Sequence, residues 1–328
     1  MLSYIDDSIG ICPANHATWL YNSFQHLVSK LTLQLSATPG HMSAPAEACV
    51  ALGVLYNTAS NVVSLPSEKL DALKALLASW SGKTTATPRE LASLAGKLLW
   101  AALVIPPGRL FLGRVLATKR AADARPQWLA RRPVDLDDEF RKDMRWWNKM
   151  ATPWNGRGFL CPRLTADISL DASSNGWLKG LPGLGCFNHV TGQFIATGVP
   201  TSMAGWDIAD LEMLAHLVCT RAWGRDWAEF QLNVLTDSEP TRFLIQFGRS
   251  RLPLRLAMAR ELVMLQFKGN FRIHSSRIST KANICADTLS RLGQPGRWDR
   301  FMDYCTSYGV VPGRTDVVSE WFAVNEDW

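Results

Sequence analysis

Four carboxylates in the C-terminal half, each in a different local setting, limit what this chain can fold into. They are Asp171 in LDASSNGW, Glu212 in DIADLEMLAHL, Asp237 in NVLTDSEPTRFLI and Asp287 in NICADTLSR. Leu164, Ala166, Ile168 and Leu170 alternate with Thr165, Asp167 and Ser169. That is the period of a half-buried strand, with Asp171 at its end. Asp207 reads as the N-cap of a helix with Ile208, Leu211, Ala215, Val218 and Ala222 on its apolar stripe, and Glu212 borders that stripe. The run Leu232–Leu235 reads as a short apolar strand, and Asp237 follows it. Asp287 falls on a short helical segment closed by Gly293 and Pro295. Two carboxylates ending strands and two on helices can meet at one edge of a sheet, so the expected fold class is mixed α/β.

Singly, each residue has an ordinary explanation. A strand-ending Asp is usually a turn residue, and a helical Glu is usually solvated surface. Jointly they suit metal-assisted hydrolysis of a phosphodiester. That chemistry holds two divalent cations roughly 3.5–4 Å apart around the scissile phosphate. Mg²⁺ prefers carboxylate oxygen and water, so several Asp or Glu side chains must be gathered from distant parts of the chain. Asp167 competes with Asp171, since both lie on the same strand face.

Residues 171–177, 211–215 and 283–291 resemble the motifs DAS..GW, LE.LA and N..AD.LSR of retroelement RNase H domains. The resemblance is to DIRS- and Ngaro-type tyrosine-recombinase retrotransposons in particular, and its first motif favours Asp171 over Asp167. Thr236-Asp237-Ser238 is closer to the third motif of cellular RNases H than to the DN common in these elements. Near Arg277 the family often carries a His that helps product release; here the stretch is SSRISTKAN, with His274 three residues earlier. The resemblance implies an RNase H-like domain with a central mixed five-stranded sheet flanked by helices. It also implies cleavage of the RNA strand of an RNA/DNA hybrid with two Mg²⁺ ions, Mn²⁺ being the alternative. Asp171 would bridge the ions, Glu212 and Asp237 would complete one site, and Asp287 the other. Contacts to 2′-hydroxyls would distinguish hybrid from duplex DNA.

At the N-terminus, apolar residues flank Asp6-Asp7 in MLSYIDDSIGI, the pattern of a β-hairpin with two carboxylates at its tip. Leu20, Phe24, Leu27 and Leu31 predict a helix over 16–35, and Leu52-Gly53-Val54 a strand. This part resembles the catalytic hairpin of a reverse transcriptase palm, in which Asp6 and Asp7 would be metal ligands. Amphipathic spacing predicts further helices from Ser67 through Trp80, from a Thr87–Glu90 capping box with Pro88 at its first position, and through Phe140, Met144 and Trp147. PRELASLAGKLLWAALVIPPGRLFLGRVL resembles a retroelement thumb. The expected domains are a truncated palm remnant (1–66), a helical thumb and connection (67–160), the RNase H-like domain (161–292) and a C-terminal tail (293–328). A polymerase of this type needs a further palm Asp and fingers, neither of which precedes Met1, so DNA synthesis is expected to be absent from this sequence alone. A palm remnant without its covering strands should expose apolar surface and call for a protein partner. The alternatives are a truncated form of a complete RNA-directed DNA polymerase, or a decayed fragment that binds nucleic acid without cutting it.

The formal charge of +6 is concentrated: residues 249–291 hold nine Lys or Arg against Glu261 and Asp287. Arg249, Arg251, Arg255, Lys268, Arg277 and Lys281 are the expected phosphate contacts, with affinity falling as salt rises. The alternative is a solubilising surface. Seven cysteines with no Cys-x-x-Cys argue against a disulfide framework or zinc ribbon, and for a reducing intracellular setting, cytoplasmic or nuclear. No secretory signal is visible. The most apolar stretch, 91–107, contains Lys97 and is too short to span a bilayer.

Overall fold

The computed structural model describes residues 2–4, 7–33, 43–158 and 166–324. They divide into two compact units, Met1–Gly108 with Thr118–Cys161, and Arg109–Ala117 with Pro162–Trp328.

In the first unit, Leu2–Tyr4 pairs antiparallel with Asp7–Ile9, Tyr4 opposite Asp7. Ile5 and Asp6 lie outside the described residues, as does the side chain of Asp7. The helix expected over 16–35 runs Ala14–Lys30 and buries only Val28. Trp19 and Leu27 on it are 67% and 54% exposed, so its apolar face has little cover among the described residues. Leu52-Gly53 is not in a strand, contrary to expectation. Both residues have positive φ, 50° and 75°, and form the turn between antiparallel strands Ala48–Ala51 and Val54–Asn57. Two successive positive-φ residues give the tight hairpin turn whose twist matches paired strands. The helices Ser67–Trp80, Pro88–Ala101 and Asp138–Met150 are those expected. Thr87 caps the second: it accepts from the Glu90 N–H, while the Glu90 carboxylate accepts from the Thr87 N–H. The core of this unit includes Leu77, Leu91, Leu94, Leu98, Phe140 and Trp147.

The second unit carries strands β1 (Ala166–Ser173), β2 (Gly183–Asn188) and β3 (Gln193–Gly198), then helix α1 (Ile208–Trp223) and strand β4 (Gln231–Thr236). Helices α2 (Glu239–Phe247) and α3 (Pro253–Gly269), strand β5 (Arg272–Arg277), helices α4 (Ile284–Ser290) and α5 (Arg297–Ser307), and strand β6 (Gly313–Arg314) follow. The sheet order is β5-β4-β1-β2-β3-β6. β1, β2 and β3 form an antiparallel meander, β4 is parallel to both β1 and β5, and β6 is parallel to β3. This is the expected mixed α/β architecture, with five long strands and one two-residue addition.

Alternation along β1 sends Ile168 and Leu170 to one face, where they meet Cys186, Ile195, Leu232 and Val234 of the sheet and Cys219 and Trp223 of α1. On the other face Phe187 and Phe194 pack against Cys285 and Leu289 of α4 and Phe301 and Cys305 of α5. Residues 297–310 of the expected tail thus close one side of this core, whereas Val317 packs into the cluster on the opposite face and Arg221 of α1 donates to the Trp321 carbonyl. The six described cysteines are free. No helix among the described residues is long and apolar enough to cross a membrane.

Candidate metal centre

Asp171 was expected at the end of a strand, but β1 continues through Ser173, because β2 pairs with it as far as Gly183 opposite Ser173. The residue therefore lies within the sheet and is buried, 4% exposed. The parallel pairing of β4 with β1, Leu235 opposite Ser169, carries Asp237 alongside Asp171 just beyond the C-terminal end of β4. Asp207 caps α1 by accepting from the Ala209 N–H, and the helix brings Glu212 in from its first half. Glu212, beside Leu211 on the apolar stripe, is itself buried. The result is a cluster in which ligand oxygens of Asp171, Glu212 and Asp237 lie within 4.8 Å of one another.

The donors around these carboxylates divide their oxygens. Glu212 Oε1 accepts from the Ala172 N–H at 3.1 Å. Asp237 Oδ2 accepts from the Thr280 hydroxyl at 2.6 Å, and Asp171 Oδ2 accepts from the Ser290 hydroxyl. Buried Glu212 Oε2 has no hydrogen-bond partner of good geometry among the described residues, although the neighbouring Thr236 hydroxyl lowers the carboxyl pKa slightly against the effect of burial. A buried carboxylate oxygen without a donor is costly unless a cation or a proton reaches it. The electrostatics agree. Burial, followed by the nearby charges of Asp237 and Asp287, pushes the Asp171 carboxyl up to about 7, although the Ser290 hydroxyl pulls the other way. Burial and then the Asp171 charge drive Glu212 well above the usual carboxylate range. Three hard oxygen donors gathered in one place, one of them orphaned, fit a divalent cation such as Mg²⁺ or Mn²⁺.

Asp287 stands apart from the three. Its oxygens are held by Arg291 at 2.8 Å and Arg297 at 3.4 Å, although its charge is felt at Asp171. Asp167, the rival on β1, is bound instead by the Asn233 side-chain amide at 2.8 Å. His216, one turn along α1 from Glu212, is buried. Burial lowers its pKa to about 4, so it is neutral, with Nδ1 against the Glu212 carbonyl.

Of the six basic candidates, Arg249, Arg251, Lys268, Arg277 and Lys281 are exposed. Arg277 also makes a loose 3.3 Å pair with Glu239. Arg255 differs: it is paired with Asp207 and Asp210, which ties the start of α3 to the start of α1. Arg260, within the same basic run, is buried and donates to the Leu110 carbonyl.

No protein-family model and no curated protein matches this chain. Solved structures do resemble it. RNase H1 from the halophilic archaeon Halobacterium salinarum is 16% identical, with 39% of this chain and 96% of that one covered and a TM-score of 0.31. The N-terminal RNase H domain of Rv2228c from Mycobacterium tuberculosis is 17% identical, with 44% and 100% covered and a TM-score of 0.27. The foamy viral protease-reverse transcriptase in complex with an RNA/DNA hybrid is 10% identical, with 81% of this chain covered but only 34% of the viral one, and a TM-score of 0.37. At these identities and scores the likenesses bear on no residue's role.

Proposed function

We propose that the second unit is an RNase H-type nuclease that cuts the RNA strand of an RNA/DNA hybrid with divalent-cation assistance. The convergence of buried Asp171 and Glu212 with Asp237 carries this reading, because nothing in packing a core calls for three carboxylates at one point. Bound there, two Mg²⁺ ions would supply an activated water and stabilise the leaving 3′ oxygen. The chain's own part is to hold the carboxylate oxygens in place through Ala172, Thr280 and Ser290. Asp287, within reach of the Asp171 charge, would serve a second ion on leaving Arg291 and Arg297. The motif pattern further supports an origin in a DIRS- or Ngaro-type retroelement, with residues 1–66 as palm remnant, 67–160 as thumb and connection, and 161–292 as the nuclease domain.

Asp237→Asn separates cutting from binding. The folded variant is expected to retain hybrid binding in a gel-shift assay and to lose cleavage at least 100-fold. Retained cleavage would exclude the triad as the reacting centre. Wild-type protein that binds hybrid but does not cut it would favour a binding-only function.

Lys281 is exposed and adjacent to Thr280, the partner of Asp237. Lys281→Ala is therefore expected to weaken hybrid binding and reduce the slope of log K against log salt by roughly 0.7–0.9, the loss of one phosphate contact. Titrations between 50 and 200 mM salt, about the range over which such contacts show, would check it. An unchanged slope would remove Lys281 from the interface.

A further inference from the structure

We infer that Ser290 is a positioning residue of the proposed nuclease site: its hydroxyl fixes one oxygen of Asp171 so that the other faces the cation position. This rests on the nuclease reading above. Ser290 is the last residue of α4, three after Asp287, and is fully buried. Its oxygen lies against Asp171 Oδ2 and 3.0 Å from the Asp287 carbonyl. A serine hydroxyl has a single proton. With a cation at the site the carboxylate is ionised, and it is the closer and stronger acceptor, so the hydroxyl proton goes to Asp171.

The helix that carries the hydroxyl is itself tied to β1 at both ends. The Ser290 carbonyl accepts from the Ser173 hydroxyl at 2.6 Å, two residues past Asp171 on β1. At the other end of α4, the Asn283 amide donates to the Leu170 carbonyl at 2.9 Å, one residue before Asp171. The short helix is thus pinned to β1 on both sides of Asp171, and Ser290 makes the contact to the carboxylate itself. The terminal torsion of an aspartate is broad and roughly two-fold, so packing alone does not choose which oxygen points where. A hydrogen bond to one oxygen makes that choice. Groups that orient a metal ligand in this way typically change metal affinity by about 10- to 100-fold when removed.

The test is titration of the full chain with Mn²⁺, counting free ion by electron paramagnetic resonance, for wild type, Ser290→Ala, Ser290→Cys and Asp171→Asn. Circular dichroism and melting establish that each variant is folded. Ser290→Ala is expected to raise the Mn²⁺ Kd about 10-fold or more. It should also shift the Mg²⁺ dependence of cleavage to higher concentration, which a purely structural role would not do. Ser290→Cys fills the same space with a weaker donor and should fall between wild type and alanine; it decides the matter if the alanine variant does not fold. Wild-type affinity in a folded Ser290 variant would overturn the inference while leaving the nuclease reading intact. Mn²⁺ binding that is equal in wild type and Asp171→Asn would overturn the nuclease reading itself, and the role of Ser290 with it.

Discussion

Asp171→Asn is expected to have two opposite effects at pH 8: hybrid cleavage disappears, and the metal-free protein becomes more stable. The loss of cleavage follows from removing a carboxylate that shares the cation position with Glu212 and Asp237. The gain in stability follows from the charge. Burial raises the Asp171 carboxyl from an ordinary 3.8 to about 7 in the folded chain, so the native state holds this proton more tightly than the unfolded state. The stability contributed by that proton is fully present below about pH 4 and is lost as pH rises through about 7. Glu212, raised by burial and by the Asp171 charge, acts in the same direction. The accumulated cost in the metal-free protein at pH 8 is on the order of a few kcal/mol. Asn has no charge to bury and can still accept from Ser290, so the variant should melt several degrees above wild type at pH 8 and close to it at pH 4. Saturating Mg²⁺ should narrow the gap at pH 8 by stabilising only the wild type. Scanning calorimetry at the two pH values, with and without Mg²⁺, would show this. A variant no more stable than wild type at pH 8 would mean that these carboxylates are not under the strain that their burial implies.

Gly185→Ala is the second substitution expected to have a large effect. Gly185 lies on β2 directly opposite Asp171, beneath α4. A Cβ there would stand 2.3 Å from the Ala286 carbonyl oxygen and 2.4 Å from the Ser290 nitrogen, both backbone atoms that cannot rotate away. α4 would have to lift from the sheet, taking Ser290 off Asp171 and disturbing the packing of Leu289 against Phe187. Overpacking of this kind costs about 1–3 kcal/mol and occasionally more. Cleavage should fall with stability because the same helix carries Asp287. Gly205→Ala is the matched control, since its added methyl meets nothing within 4 Å. Urea unfolding of the two variants should separate them clearly; equal midpoints would show that α4 has freedom to move at no cost.

The sequence was most informative where periodicity and chemistry coincide. The alternation before Asp171, the Asp207 cap and the apolar run before Asp237 located three elements, and parallel pairing of β1 with β4 then brought the two aspartates together. The capping box at Thr87 was legible residue by residue because its two hydrogen bonds are local. Long-range pairing was not legible. β1 runs past Asp171 because β2 accompanies it, and β2 itself, buried at every position, has no alternation to reveal its strand. Its Gly-Leu-Gly was the available sign, since glycine within a strand often marks close backbone approach. At Leu52-Gly53 the apolar Leu suggests a strand, whereas the neighbouring Gly and the hairpin geometry dictate a turn. The expected tail carries a helix: Trp298, Phe301 and Cys305 have the spacing of a helical face, and Phe301 and Cys305 are buried. The basic run looked uniform in sequence, but Arg255 and Arg260 are engaged within the fold. Ser290 and Thr280 are ordinary hydroxyl residues whose importance comes only from the carboxylates that they touch.

The most direct measurement is strand-resolved cleavage by the wild-type chain of four duplexes of one sequence: RNA/DNA hybrid, its strand-exchanged counterpart, DNA/DNA and RNA/RNA, each labelled on one strand at a time and incubated with Mg²⁺ or with chelator. The expected result is cutting of the RNA strand in both hybrids, with Mg²⁺ only, and no cutting of DNA/DNA or RNA/RNA. Cleavage that persists in chelator, that falls on DNA strands, or that is absent from hybrids bound by folded protein would contradict the account.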